Sequence, residues 1–279
     1  MVKKYAIIGL GYISSKHMDA IEETGGKLIV GCDIDSNKVR KLPKDVEFFT
    51  NWKAMMTGTK LFDEVDIVSI CTPNYLHYPM ISVALKQGKT IICEKPVTIS
   101  PAQAWTLGNR VNVVLQLRYS PVIQQIRETC KPEGNVAFLD IHINRGEWYH
   151  NSWKGNEEKS GGLLMNIGIH YFDLLIHLFG SMFPEVCFPW KAGVGKDVEG
   201  KLINGKGSVI WRLNITAEKD NQYRVLYLNG EKFNLDRGFE NLHTKVYEEV
   251  LAGRGVKPVQ VLNSLCCVND LRVLLQKTI

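Results

Sequence analysis

The sequence predicts an α/β protein in two parts. Residues 1–118 form a doubly wound parallel sheet, and residues 119–279 an α+β part with an open, mostly antiparallel sheet. Three observations carry this. Before residue 118, short apolar runs alternate with amphipathic stretches, the rhythm of βαβ crossovers. After Tyr119 the strands follow one another, and Asn229-Gly230 between two of them is a type I′ hairpin signal. The chain has 279 residues, 45% of them hydrophobic, which supplies two cores at roughly 100–200 residues per domain.

Taken in order, residues 5–8 read as a buried strand and 13–23 as a helix. A strand at 28–32 ends in Asp33-Ile34-Asp35, and a short strand at 46–49 and a helix at 52–56 follow. Residues 66–71, 90–93 and 111–117 are further apolar strands, separated by helices at 78–87 and 100–107. In the second part a helix at 121–130 leads to a strand at 136–144. Gly161-Gly162 precedes a helix at 167–179, and strands at 208–216, 223–228 and 231–235 come next. Helices at 243–252 and 261–276 complete the reading, while 181–208 is Gly/Lys-rich with weak periodicity.

The formal charge is +5, but the basic residues are scattered and the densest group, at 38–44, lies among acids. That is a solvated surface, with no nucleic-acid-binding element. Seven cysteines without a C-x-x-C pair match neither a disulfide framework nor a zinc site, which implies a reducing, cytoplasmic compartment. The apolar run after Met1-Val2-Lys3-Lys4 is broken by Gly9 and Gly11, and no window approaches the roughly 18 apolar residues of a span. A soluble protein without a membrane partner is expected.

Four motifs carry chemistry. Gly9-Leu10-Gly11-Tyr12-Ile13-Ser14 lies between a strand and a helix. Gly9 allows the tight turn, Gly11 lets the backbone approach a pyrophosphate at the helix N-terminus, and Ser14 replaces the third glycine. Asp33 ends the next strand, where a carboxylate accepts the adenosine ribose hydroxyls and repels a 2′-phosphate, so NAD is expected over NADP. A ligand-free glycine turn is the plain alternative. At the next strand end, Thr72, Asn74 and His77 of Cys71-Thr72-Pro73-Asn74-Tyr75-Leu76-His77 can bond a cofactor, or merely cap a helix. Glu94-Lys95-Pro96 follows a third strand, where partial burial and a nicotinium neighbour would make the lysine amine basic and available. Finally, Asn166, His170 and Asp173 are spaced i, i+4, i+7 on one helix face, with His177 a further step on. A core histidine is the bland reading there. No further ligand accompanies His170 and Asp173 at a suitable spacing, so no metal is expected.

These four motifs in this order resemble the Gfo/Idh/MocA oxidoreductases, which pair an N-terminal Rossmann domain with a C-terminal α/β domain. That family's signature reads D-x-G-x-H where this chain has Asn166-Ile167-Gly168-Ile169-His170, and the asparagine narrows the match. Leu115-Gln116-Leu117-Arg118-Tyr119, Arg145-Gly146-Glu147-Trp148-Tyr149, Ser152-Trp153-Lys154-Gly155 and Gly238-Phe239-Glu240-Asn241-Leu242-His243-Thr244 are also present. Together these are similar to the UDP-N-acetylglucosaminuronate 3-dehydrogenases, a group that serves bacterial surface polysaccharide and lipopolysaccharide biosynthesis.

The resemblance implies NAD-dependent oxidation of the C3 hydroxyl of that nucleotide sugar. Lys95 and His170 would handle the proton, and Asn166 would orient by hydrogen bonds, since an amide is no base at neutral pH. Gly9, Gly11, Tyr12, Ile13, Asp33, Thr72, Asn74, His77, Glu94, Lys95 and Gln116 would hold the cofactor. Lys95, Arg118, Arg145, Tyr149, Lys154, Asn166, His170, His243 and Thr244 would hold the substrate, its carboxylate and diphosphate suiting the cations. Arg118 and Arg145 also suit plain salt bridges. The resemblance further implies a homo-oligomer, dimer or tetramer, built through the C-terminal sheet. The alternatives are another sugar or inositol dehydrogenase of the family, or an inactive dinucleotide-sensing regulator. The chain departs from its relatives in a short 97–110 crossover and a trimmed 181–208 region.

Overall fold

The computed structural model describes residues 1–189, 197–236 and 240–278. In chain order the elements are β1 (Lys4–Ile8), α1 (Ser14–Glu23), β2 (Lys27–Cys32), β3 (Glu47–Phe49), α2 (Trp52–Gly58), β4 (Ile67–Ile70), α3 (Asn74–Lys86), β5 (Thr90–Cys93), α4 (Pro101–Trp105) and β6 (Val111–Val113). They continue with α5 (Val122–Thr129), β7 (Asn135–His142), α6 (Gly146–Asn151), α7 (Glu157–Ser160), α8 (Ile169–Phe179), β8 (Phe183–Pro189), β9 (Asp197–Asn204), β10 (Gly207–Asn214), β11 (Tyr223–Leu228), β12 (Glu231–Asn234), α9 (Leu242–Leu251) and α10 (Leu262–Thr278).

The first sheet is parallel throughout, in the order β3-β2-β1-β4-β5-β6. Its central strands are apolar on both faces because helices cover both; Tyr5, Ala6, Ile7, Val68 and Ile70 are fully buried. The order reverses between β1 and β4, and ligands of open α/β sheets bind outside the strand ends at such a switch point. The helix expected at 78–87 starts earlier, at Asn74, and carries Pro79 inside it. A missing N–H in a helix interior costs about 3 kcal/mol. Burial of Asn74, His77, Met80, Ile81 and Ala84 along one face offsets it. The 97–110 crossover holds only the five-residue α4, and the strand expected to reach residue 117 stops at Val113.

The second sheet has the order β12-β11-β7-β10-β9-β8, antiparallel except for the β7–β10 pair. One face packs under α8 and α10, with Leu139, Ile141, Trp211, Leu213, Leu226, Phe172 and Leu271 buried. The Phe172 and Trp211 rings meet edge to face at 4.9 Å. The Asn229-Gly230 turn joins β11 to β12 with positive φ at both residues, as a type I′ hairpin requires. Strands β8 and β9 occupy the 181–208 region where weak periodicity gave no element; β8 is an edge strand and needs a buried pattern on one side only.

The chain divides into two compact units. The first comprises Met1–Thr98, Ala102–Gln116 and Asn241–Gln260; the second comprises Ile99–Pro101, Leu117–Glu240 and Val261–Ile279. This differs from a single boundary at residue 118, because α9 and the segment after it return to the first sheet. Tyr247 is fully buried there, and the Val113 N–H donates to the Val256 carbonyl at 2.8 Å on the outer edge of β6. One helical stretch, Glu157–Phe179, is apolar and long enough to cross a membrane by composition, but 72% of its most apolar window is buried inside the protein.

Candidate functional site

In the first unit the glycine turn follows β1. Gly9 has φ +89°, and a Cβ there would lie 2.7 Å from the Cys71 carbonyl oxygen past β4, so both backbone conformation and space require glycine. A Cβ on Gly11 would meet no protein atom within 4 Å. That leaves room for a pyrophosphate to approach the backbone at the start of α1. Ser14 is fully buried and donates to the Gly11 carbonyl at 2.8 Å, closing the turn that a third glycine would otherwise allow. Asp33, past β2, accepts from Leu10 N at 2.7 Å and Asp35 N at 2.9 Å. Its carboxylate thus stands against the turn, as ribose recognition demands. Tyr12 is exposed and Ile13 half-buried. Gln116 has a buried amide oxygen with no hydrogen-bond partner among the described residues, a free acceptor for a carboxamide N–H. These residues fit a bound NAD.

The ends of β4 and β5 are knitted together. His77 is fully buried, its Nδ1 2.7 Å from the Pro96 carbonyl and its Nε2 2.9 Å from that of Thr72. Both ring nitrogens are engaged by the backbone, so His77 braces the two strand ends, whereas the sequence reading gave it to the cofactor. Burial pushes its pKa down, against the two carbonyls. Asn74 is buried at the start of α3, and the Thr72 hydroxyl contacts the Met80 sulfur at 3.4 Å.

Glu94, also expected at the cofactor, is 8% exposed. Its Oε1 accepts from His17 Nε2 at 3.1 Å and from His243 Nε2 at 3.3 Å, and its Oε2 from the Lys95 N–H at 3.3 Å. Desolvation raises its pKa, but the two imidazole donors win and hold it well below the usual carboxylate range. His243 is thereby engaged, and the Thr244 hydroxyl donates to Glu23 on α1 at 2.5 Å. The sequence reading had assigned both to substrate; the structure gives their polar groups these partners. The three facing atoms of His17, Glu94 and His243 lie within 4.8 Å of one another, close enough for a metal ion. Their hydrogen bonds account for the cluster without one.

In the second unit, Asn166 falls in a π-helical turn, Leu164–Gly168, that leads into α8. It is 6% exposed, and its amide donates to the Tyr149 hydroxyl of α6 at 2.9 Å. His170, half-buried, sits one position into α8. Asp173 leaves that constellation: it takes a bidentate pair from Arg118 at 2.8 and 2.7 Å and a bond from Ser264 at 2.8 Å. Arg118 thus forms the salt bridge offered as its plainer reading. Further along, His177 Nε2 accepts from Arg127 at 2.5 Å; burial, with Arg118 and Arg127 beside it, lowers its pKa to about 4.

Arg145 keeps a buried Nε without a hydrogen-bond partner among the described residues. Burial lowers its pKa against the nearby Tyr171 and Tyr149. The Lys154 ammonium lies 4.9 Å from the Trp148 ring centroid and 5.7 Å from that of Trp153. Gly238 and Phe239 of the last motif lie outside the described residues. Sequence reasoning missed His17, Ser69 and Tyr247, whose only local signal is a polar residue on an otherwise buried face. It also missed Arg224, which pairs with Asp236 and Tyr171 beside Arg145.

The strand order, the glycine turn with its acid, and the lysine two residues past β5 define a dinucleotide-binding oxidoreductase. The chain belongs to the Gfo/Idh/MocA family: its "Oxidoreductase family, NAD-binding Rossmann fold" pattern matches residues 3–112, and its "Oxidoreductase family, C-terminal alpha/beta domain" pattern residues 134–187. Two solved structures of the WlbA (WbpB) dehydrogenase from Thermus thermophilus resemble it over nearly its whole length. One, in complex with NAD and α-ketoglutarate, is 34% identical with a TM-score of 0.90, covering 98% of this chain and 96% of that one. The other, in complex with NAD and UDP-GlcNAcA, is 33% identical with a TM-score of 0.88, covering 97% and 95%. The D-glucoside 3-dehydrogenase of Escherichia coli strain K12 is 28% identical over 202 residues, 66% of this chain. The match spans only 55% of that relative's own length.

Proposed function

We propose that this protein is an NAD-dependent dehydrogenase that oxidises the C3 hydroxyl of UDP-N-acetylglucosaminuronic acid. The observation that carries the reading is the 33% identity, over 97% of the chain, to a dehydrogenase solved with NAD and that sugar nucleotide. Lys95 and His170 stand at the family's motif positions, with Asn166 where that signature has an aspartate. When bound, NAD supplies the acceptor for the hydride that leaves C3. Lys95 or His170 takes the hydroxyl proton, so that C3 becomes a carbonyl; such a base works best with a pKa near the working pH. Asn166, its amide fixed on Tyr149, orients the sugar. Arg145, with an open buried donor, suits the substrate's anionic groups. The remaining cofactor and substrate assignments stand as part of this reading, together with a cytoplasmic location and a role in surface polysaccharide synthesis.

NADH formation at 340 nm from NAD and UDP-N-acetylglucosaminuronic acid, beside UDP-N-acetylglucosamine, tests it. A parallel tube contains α-ketoglutarate, and product is followed by mass spectrometry so that retained NADH does not hide turnover. Oxidation of the uronate alone, lost in Lys95→Ala, is the expected result. No product from either sugar with NAD still bound sinks it. The match to a D-glucoside 3-dehydrogenase then favours a simpler glycoside as the substrate.

A homo-oligomer, dimer or tetramer, belongs to the same reading. The open face of the second sheet exposes Val136, Phe183, Val186, Phe188 and Ile210, a run of apolar side chains that monomers seldom leave bare. Light scattering that returns the mass of a single 31.6 kDa chain refutes it.

A further inference from the structure

We propose that Glu94, clamped by His17 and His243, is a positioning residue for Lys95: it fixes the Lys95 peptide at the end of β5 and sets a permanent negative charge beside the lysine. This rests on the reading of Lys95 as a proton-handling group. Four observations, all within the first unit, carry it. The Glu94 side chain is 11% exposed, and an isolated carboxylate so placed would pick up a proton. It receives three donors instead, from two imidazoles and from the Lys95 N–H itself. An ionised carboxylate only accepts, so both imidazoles present Nε2–H to it. His17 Nδ1 then accepts from the Tyr247 hydroxyl at 2.8 Å, and the Tyr247 oxygen from Ser69 at 2.6 Å. The relay has one sense, Ser69 to Tyr247 to His17 to Glu94, and leaves no donor over. It recruits α1, β4, the end of β5 and the returning α9 to orient one carboxylate.

The surroundings keep that charge single. Burial pushes the Cys71 and Cys93 thiols and the Tyr247 phenol far above their usual range, and pushes His17 and His77 down. The two thiols, the phenol and His17 are neutral at neutral pH, and Glu94 is the buried anion among them. Both the Glu94 and Lys95 charges act on the His77 ring, which bridges the two strand ends. The Glu94 anion is fixed on the residue next to Lys95, and a negative charge there favours the protonated amine, so Glu94 sets how readily Lys95 becomes a free base.

The test reads Lys95 directly and needs no sugar, so its failure is separable from failure of the substrate assignment. The whole protein is trace-acetylated with acetic anhydride across a pH series, and the Lys95 peptide is quantified by mass spectrometry against exposed Lys245. Glu94→Gln removes the charge; neutral-pH acetylation of Lys95 is expected to rise about threefold or more, with Lys245 unchanged. Glu94→Asp keeps the charge and is expected to stay close to the parent protein. With an oxidisable sugar, kcat of Glu94→Gln is expected to fall about tenfold while the NAD dissociation constant holds within about twofold. If Glu94→Gln does not fold, His243→Leu removes one donor and keeps the carboxylate. The weakened anion takes up a proton more readily, so Lys95 labelling moves the same way by less. Identical labelling of the Gln and Asp variants, or Lys95 labelling unmoved by any of the three, overturns the proposal.

Discussion

Single atoms decide the outcome at two positions. Gly9 combines a left-handed φ of +89° with a carbonyl 2.7 Å from where a Cβ would stand, so Gly9→Ala must displace the β4 end or the turn. Because Leu10 N is also held by Asp33, the displaced turn carries the ribose acceptor with it. NAD affinity, measured by fluorescence titration, is expected to weaken at least about tenfold in Gly9→Ala. At Gly11, where added bulk meets no protein atom, Gly11→Ala should fold as well as the parent and lose NAD affinity alone. Arg118 presents the opposite case, an arginine that sequence logic offers to an anionic ligand. Its partner Asp173 has a side chain 2% exposed, and truncating one member of a buried pair strands the other. Arg118→Ala should therefore cost about 3–5 kcal/mol in a denaturant melt. An Arg118→Ala protein of unchanged stability would falsify the structural role.

The elements show why some of this was legible in the sequence and some was not. The six parallel strands were readable because each is a local apolar run that repeats at regular spacing, and chain order with right-handed crossovers leaves few ways to arrange them. The β11–β12 hairpin was readable because Asn229 and Gly230 declare their own turn. Strand β8 escaped because an edge strand over a half-exposed sheet alternates weakly, with Glu185, Val186 and Phe188 all exposed. The return of α9 to the first unit escaped for a different reason. Its anchor, Tyr247, bonds Ser69 and His17, residues 178 and 230 positions away, and no local pattern encodes such separations. The same holds for the site. Its glycines, Asp33, Lys95 and Asn166 stand in local motifs, whereas Glu94 looked like a cofactor contact until its two imidazole partners were seen. Tyr247→Phe tests the anchoring: it removes one hydroxyl from a closed relay and leaves His17 Nδ1 and Ser69 unpaired. A loss of about 1–3 kcal/mol is expected, with hydrogen exchange accelerated in α9.

For the molecule as a whole, the buried titratable groups set a direction for its response to acid. Burial holds His17 and His77 below the usual imidazole value of 6.5, and burial with neighbouring Arg118 and Arg127 lowers His177 to about 4. Between those values the unfolded chain binds protons that the native chain refuses, so stability falls as pH drops from about 6.5 toward 4. Glu94 acts in the same sense at lower pH: its native pKa is depressed below 4.5, and its contribution is present above that value and lost as pH falls through the native one. The described groups whose pKa is raised are thiols, phenols, Arg224 and the exposed Lys245, which do not titrate in the acid range. The unfolding midpoint should therefore be flat near neutrality and decline continuously below about pH 6.5. His177→Gln separates the contributions, because His177 belongs to the second unit and the Glu94 cluster to the first, and its Nε2 only accepts from Arg127. A glutamine oxygen can take over that role without titrating, so the variant should lose part of the decline between pH 6.5 and 4 and keep the steeper fall below it. A parent protein as stable at pH 5 as at pH 7 would mean that these imidazoles are protonated in the native state, with the carbonyls on His77 outweighing its burial.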